Sequence, residues 1–222
     1  FARNLDPWLD TIHPFGSTRP DEELGWLAVA LSPCAYEAQW HIPSFTRWSE
    51  ERDPAPVYRE FARILATDAA HRRNAALPRV MKVPQFAEDL SALLAQFPEA
   101  RVVVARRDPE DVVRSATSLV ANQMAMQTDE ADLSWIEAEC GRKLALRERR
   151  MNEALANFKG PVAEVEFDAL NRDWEEAIAG LYRQLELPLT PAALAALREE
   201  QGRAAHSPHK VHAQTYQQFA QA

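Results

Sequence analysis

Residues 102–115 read VVVARRDPEDVVRS, and they carry the chemistry that most needs explaining. An apolar β-branched run stops at Arg106 and Arg107, and a helix start follows at once. Asp108 suits an N-cap and Pro109 suits the first helical position. Ser115 stands eight residues past Arg107, about two turns into that helix. In open parallel α/β sheets, ligands bind beyond the carboxyl ends of the strands. The helix start adds free N–H groups and the positive end of a dipole. A guanidinium from the strand end and a hydroxyl from the helix can therefore converge on one phosphate. Arginine suits this role because its planar fork binds two oxygens at once. The competing reading is local: Asp108, Glu110 and Asp111 offer carboxylates with which either arginine can pair. Strand alternation sends the two arginines to opposite faces, which gives the anion to Arg107 and a structural role to Arg106.

Lys82 repeats the logic. It ends LPRVMKV (77–83), a short strand candidate, and stands just before Pro84 and a helix. Two neighbouring strands would each bring a cation to one edge of the sheet. The competing reading is a solvated lysine.

The elements that must position these residues follow from periodicity. Residues 1–20 are irregular. Residues 21–32 have acids in the first turn and a dense apolar face, so they read as a helix. Residues 33–53 read as an aromatic loop region with short helical turns. Helical spacing returns from Pro56 to about Ala70 in Val57, Phe61, Ile64 and Leu65. Helix 84–97 follows the first strand. Strand 100–105 comes next, apolar after Arg101 in the manner of a central strand buried on both faces. Then come helix 109–126, a long charged helix over 129–158 with Gly141 as an irregularity, strand 161–167, helix 173–186 and a last helix near 191–200. The remaining tail is polar and reads as a loop. Strand, helix, strand, helix with short links gives a right-handed βαβ arrangement.

Composition limits the function classes. The chain has 222 residues, enough for one α/β domain, and 46% of them are hydrophobic. A net charge of −8 argues against broad binding to nucleic acid or anionic lipid. Two distant cysteines, Cys34 and Cys140, form no disulfide framework or CxxC metal pattern, which points to a reducing, cytoplasmic location. No stretch reaches the roughly 18 continuous apolar residues of a membrane helix. His206, His209 and His212 recur every three residues, a spacing that fits a metal site, but Pro208 and the polar setting favour a loop.

Lys82-Val83-Pro84 with its helix, followed by FPEARVVVARRDPEDVVRSATSLV, resembles the bacterial branch of the sulfotransferases that use 3′-phosphoadenosine 5′-phosphosulfate. The matching residues are Lys82, Phe97, Pro98, Arg107, Asp108, Pro109 and Ser115. VEFDAL (165–170), LELPLTP (185–191), the opening DTIHP with its PDEE, and the tail with Arg203, His209, His212 and Tyr216 are similar to the family in the same order. The resemblance implies an α/β, P-loop-nucleotidase-like three-layer fold with a central parallel sheet flanked by helices. It implies a single sulfotransferase-like domain over 1–222. The phosphosulfate is then a co-substrate, adenosine 3′,5′-bisphosphate is the product, and no metal is expected. Arg107 and Ser115 would hold the 3′-phosphate, Phe167 would stand near the adenine, and Arg203 would complete the phosphate pocket.

Lys82 would then neutralise charge on the leaving phosphate. His13 is the first candidate for the base that takes the acceptor's proton, with Glu22 or Glu23 behind it. The competing readings are a backbone-bonded loop histidine and a helix-start acid cluster. Two departures stand out. No glycine-rich loop for the 5′-phosphosulfate is found, and the chain begins at Phe1, so residues upstream are expected to be missing. Where many members read K-S-P-x-H, this chain has Phe86, which cannot take a proton. Trp26, Trp40, Phe45 and Trp48 read as core, or else as the lining of an apolar acceptor pocket. The expected partners are the nucleotide donor and a small or lipid-like alcohol or amine, with no nucleic acid and no membrane span. Two other functions remain open: a non-catalytic nucleotide- or partner-binding relative, and a small-molecule kinase of the same fold class.

Overall fold

The computed structural model describes residues 21–204 apart from Leu31, Pro33 and Asp129. His13, the 206–212 histidines and Tyr216 lie outside the described residues. In chain order the elements are α1 (Leu24–Val29), α2 (Ala35–Gln39), α3 (Pro43–Glu51), α4 (Ala55–Arg72), α5 (Gln85–Glu88), α6 (Leu90–Gln96), β1 (Val102–Arg106), α7 (Pro109–Ala125), α8 (Leu133–Asn157), β2 (Val162–Glu166), α9 (Phe167–Arg172), α10 (Trp174–Gln184) and α11 (Pro191–Ala204). The chain divides into two compact units. Among the described residues, one holds Arg101–Val112 and 160–204, and the other holds 21–100 and Val113–Lys159.

The first unit is α/β with a parallel sheet. β1 pairs with β2 from Val102↔Val162 to Arg106↔Glu166, so both strands end level. Directly paired residues share a face, and alternate residues do not. Ala163 and Val165 of β2 therefore point one way, into Leu181 and Leu185 of α10 and its C-terminus, with Leu170, Ala177 and Ile178 packed around them. Asp173 caps α10 by accepting from the Glu176 N–H at 3.1 Å. Arg101 Nε donates to the Leu185 carbonyl at 2.9 Å and fastens the start of β1 to the end of α10.

The second unit is helical. Its core gathers Leu27, Tyr58, Phe61, Leu65, Phe86, Leu90, Leu93 and Leu94, with Tyr58 and Phe61 wholly buried. The Tyr58, Phe61 and Phe86 rings meet with centroids 5.9–6.3 Å apart, within the range of favourable aromatic pairs. Asp132 caps α8 by accepting from the Trp135 N–H at 3.1 Å.

Several expectations need correction. Residues 77–83 form no strand: Leu77 and Val80 lie 68% and 94% exposed, and Pro78 and Pro84 offer no N–H to a ladder. The expected βαβ over 77–105 is therefore not formed, and the parallel pair is β1 with β2. β1 is not buried on both faces either, since Val104 is buried while Val103 is 46% exposed. Helix 84–97 breaks at Asp89, whose backbone leaves the helical region with φ −108° and ψ 20°. The first helix shortens to α1, and the last extends to Ala204.

Candidate functional site

In the sheet unit, the level strand ends bring two of the expected residues together. Arg107 follows β1, and Phe167 follows β2. The Arg107 guanidinium lies over the Phe167 ring, 4.6 Å from its centroid. A carboxylate oxygen of Asp111, one turn into α7, stands 3.8 Å from the same guanidinium. Both partners leave the group accessible: the Arg107 side chain is 35% exposed. Arg106 faces the other side and pairs with Glu164 at 2.7 Å. Asp108 accepts from the N–H groups of Glu110 and Asp111 at 2.9 and 3.2 Å. Its carboxylate is thereby committed to the start of α7, and of the three local acids it is Asp111 that stands beside Arg107. Arg203 sits in the last turn of α11, where Glu200 and Glu199 hold it at 2.8 and 2.5 Å. These are exposed i,i+3 and i,i+4 pairs, worth little each.

In the helical unit, Ser115 lies half-buried on α7. Lys82 is bracketed by two adjacent acids. Its Nζ pairs with Glu22, and its backbone N–H donates to Glu23 Oε2 at 3.0 Å. Burial pushes the Glu23 carboxyl above its ordinary value, against the Lys82 N–H and the Arg79 charge. The periodicity gave no sign of this link, because it spans 59 residues of chain.

The same reasoning missed a buried ionic hub. Lys143, in the middle of α8, pairs with Glu37 at 2.7 Å, Glu50 at 2.9 Å and Glu88 at 3.0 Å. Arg142 holds Glu50 at 2.6 Å, while Arg147 and Arg150 approach Glu88 at 3.4 and 3.6 Å. The hub ties α2, α3 and α5 to α8, and α5 begins three residues after Lys82. Sequence offers only a "charged helix" here; what the composition hides is that one lysine of that helix faces inward.

Phe86 packs in the aromatic core, so the position of the family's histidine is a packing position in this chain. The aromatic loop region differs from the expected core. Tyr36, Trp40, Phe45 and Trp48 form a row of contacts 5.2–6.2 Å between centroids, with Trp40 and Trp48 40% and 55% exposed. Among the described residues no group of three histidine, cysteine or acidic side chains is placed to hold a metal ion. Among them, too, no helix is long and apolar enough to cross a membrane.

Comparison with known proteins bears on the whole arrangement. No curated protein matches the chain. The fold is shared with the solved sulfotransferase STF9 from Mycobacterium avium, at 20% identity and TM-score 0.77 over 86% of this chain and 50% of that one. It is shared equally with sulfotransferase STF1 from Mycobacterium tuberculosis H37Rv, at 23% identity and TM-score 0.77 over 100% of this chain and 60% of that one. The chain thus spans half to three-fifths of the length of these structures. The model of the sulfotransferase family matches residues 2–191. With most of its length matched, and with its α/β fold in common with these enzymes, the chain belongs to the sulfotransferase family.

Proposed function

We propose that the protein transfers a sulfuryl group from 3′-phosphoadenosine 5′-phosphosulfate to a hydroxyl or amine of a small or lipid-like acceptor in the cytoplasm. The observation that carries this reading is Arg107 over Phe167 at the level ends of two parallel strands, an accessible guanidinium beside an exposed ring. A nucleotide needs both: a cation for its phosphate and a flat apolar face near its base. Family membership favours sulfuryl over phosphoryl transfer.

In this reading Arg107 and Ser115 bind the 3′-phosphate, Arg203 joins them after leaving its helix neighbours, and Phe167 stands by the adenine. The acceptor oxygen or nitrogen forms a bond to sulfur as the bond from sulfur to the 5′-phosphate oxygen breaks. The acceptor's proton goes to His13, and adenosine 3′,5′-bisphosphate leaves. Lys82 neutralises the charge that builds on the departing phosphate. The test is transfer of labelled sulfate from the donor to a panel of phenols, aliphatic alcohols and amines. Labelled product supports the reading; donor binding without transfer to any acceptor points instead to a non-catalytic relative.

A further inference from the structure

Glu22 and Glu23 are neighbours at the entry to α1, yet neither side chain serves that helix: Glu23 stands at the N-cap and makes no side-chain capping bond. Both reach about 60 residues along the chain to Lys82. They reach different parts of it. Glu23, 8% exposed, accepts from the Lys82 backbone N–H, and Glu22 pairs with the Lys82 ammonium.

The division matters because of what residues 77–83 lack. No strand ladder fixes this segment, and Pro78 removes one of its donors. The buried Val83 and the Arg79–Asp68 pair hold residues on either side of Lys82, and a further tie must hold its own main chain. The Glu23 carboxylate does so, through a charge-assisted bond to N–H in a buried setting. Its own position is fixed by Leu27, one turn on, which is wholly buried in the helical core. The Glu22 pair differs in kind. The Lys82 side chain is 75% exposed, so the pair is screened and readily exchanged.

Resting on the donor-binding role of Lys82 above, we propose that Glu22 and Glu23 are positioning residues that clamp Lys82. Glu23 fixes its main chain, and Glu22 holds its ammonium until the donor's 5′-phosphate takes that place. A phosphate with up to two negative charges outcompetes a single carboxylate for the same cation. Neither acid then acts as the base, which leaves that role to His13.

The experiment is calorimetric titration of the full chain with adenosine 3′,5′-bisphosphate. The variants are Lys82→Ala, Glu23→Ala, Glu23→Gln and Glu22→Gln, with the last three also combined with Lys82→Ala. Glu23→Ala weakens binding roughly three- to tenfold, the net scale of one ordinary hydrogen bond. Glu23→Gln recovers most of this, because its amide oxygen still accepts from the Lys82 N–H. Glu22→Gln tightens binding by up to about fivefold, the scale of an exposed ion pair removed from competition. All three effects vanish in the Lys82→Ala background. The clamp is overturned if the effects persist unchanged there, or if neither acid matters in a protein that binds the bisphosphate. Absence of binding by the unaltered protein overturns the donor reading itself, and the clamp with it. Should Glu23→Ala fail to fold, the isosteric Glu23→Gln and the part-exposed Glu22→Gln still decide the matter.

Discussion

The guanidinium of Arg107 lies 4.6 Å from the centroid of the Phe167 ring, although 60 residues separate them in the chain. Parallel register makes the contact. With Arg106 opposite Glu166, the next residue of each strand is level and on one face. Only weak ties hold the cation there: an exposed cation–π contact of about 0.5–1 kcal/mol and an ion pair to Asp111.

The first prediction follows from this weakness. Phe167→Ala changes folding stability by less than about 1 kcal/mol in urea titrations. It nonetheless lowers affinity for adenosine 3′,5′-bisphosphate roughly tenfold, on the scale of 1–3 kcal/mol for stacking of a base on an aromatic side chain. A large stability loss with unchanged affinity would mean that the ring belongs to the core and not to the site.

The Lys143 hub gives the second prediction. Removing one partner of a buried ion pair costs about 3–5 kcal/mol, because the remaining charges stay buried without it. Lys143→Ala should therefore lower the denaturation midpoint sharply, and a midpoint within experimental error of wild type would refute the structural role of the hub.

The hub also sets a pH dependence. Burial pushes the Glu50 carboxyl up, but hydrogen bonds from Arg142 and Lys143 outweigh it and hold the group at about 2, below the ordinary 4.5. The folded state thus binds this proton less readily than the unfolded chain. The stabilisation is complete above the unfolded value and is lost as pH falls from about 4.5 towards about 2. Thermal melts across that range should show a steeper acid loss in the wild type than in Glu50→Gln, which has no carboxyl to titrate. Parallel curves would show that other groups carry the acid response.

Phe86→His tests the departure from the family pattern. The position lies among Tyr58 and Phe61, so a histidine there replaces aromatic packing with a buried polar ring. The variant should lose about 2–4 kcal/mol of stability and gain no rate. A stable variant with faster transfer would mean that the side chain reaches the reacting atoms.

What the sequence revealed and what it hid divide along physical lines. Strands 100–105 and 161–167 were legible because dense β-branched runs bounded by helix starts have few other uses. The place of Arg107 was legible because it directly follows such a run, whereas Phe167 entered only through the family resemblance. Residues 77–83 misled because a short run with Val80, Met81 and Val83 just before a helix start reads as a strand, while pairing depends on a partner that spacing cannot reveal. The links from Glu23 to Lys82 and from Lys143 to Glu37, Glu50 and Glu88 join residues roughly 55 to 110 positions apart. Helical periodicity marks which face a residue takes, not what that face meets. Trp40 and Trp48 read as core or as the lining of an acceptor pocket, and both are exposed, Trp40 just after α2 and Trp48 on α3.

The most direct test concerns Arg107. Calorimetry should compare adenosine 3′,5′-bisphosphate with adenosine 5′-monophosphate, which lacks only the 3′-phosphate. The wild type should prefer the bisphosphate by at least about tenfold, consistent with a charge-assisted bond of about 1.5–3 kcal/mol. Arg107→Ala should abolish that preference while leaving the monophosphate affinity unchanged. Equal affinity of the wild type for the two ligands, or a preference that survives Arg107→Ala, would contradict the account.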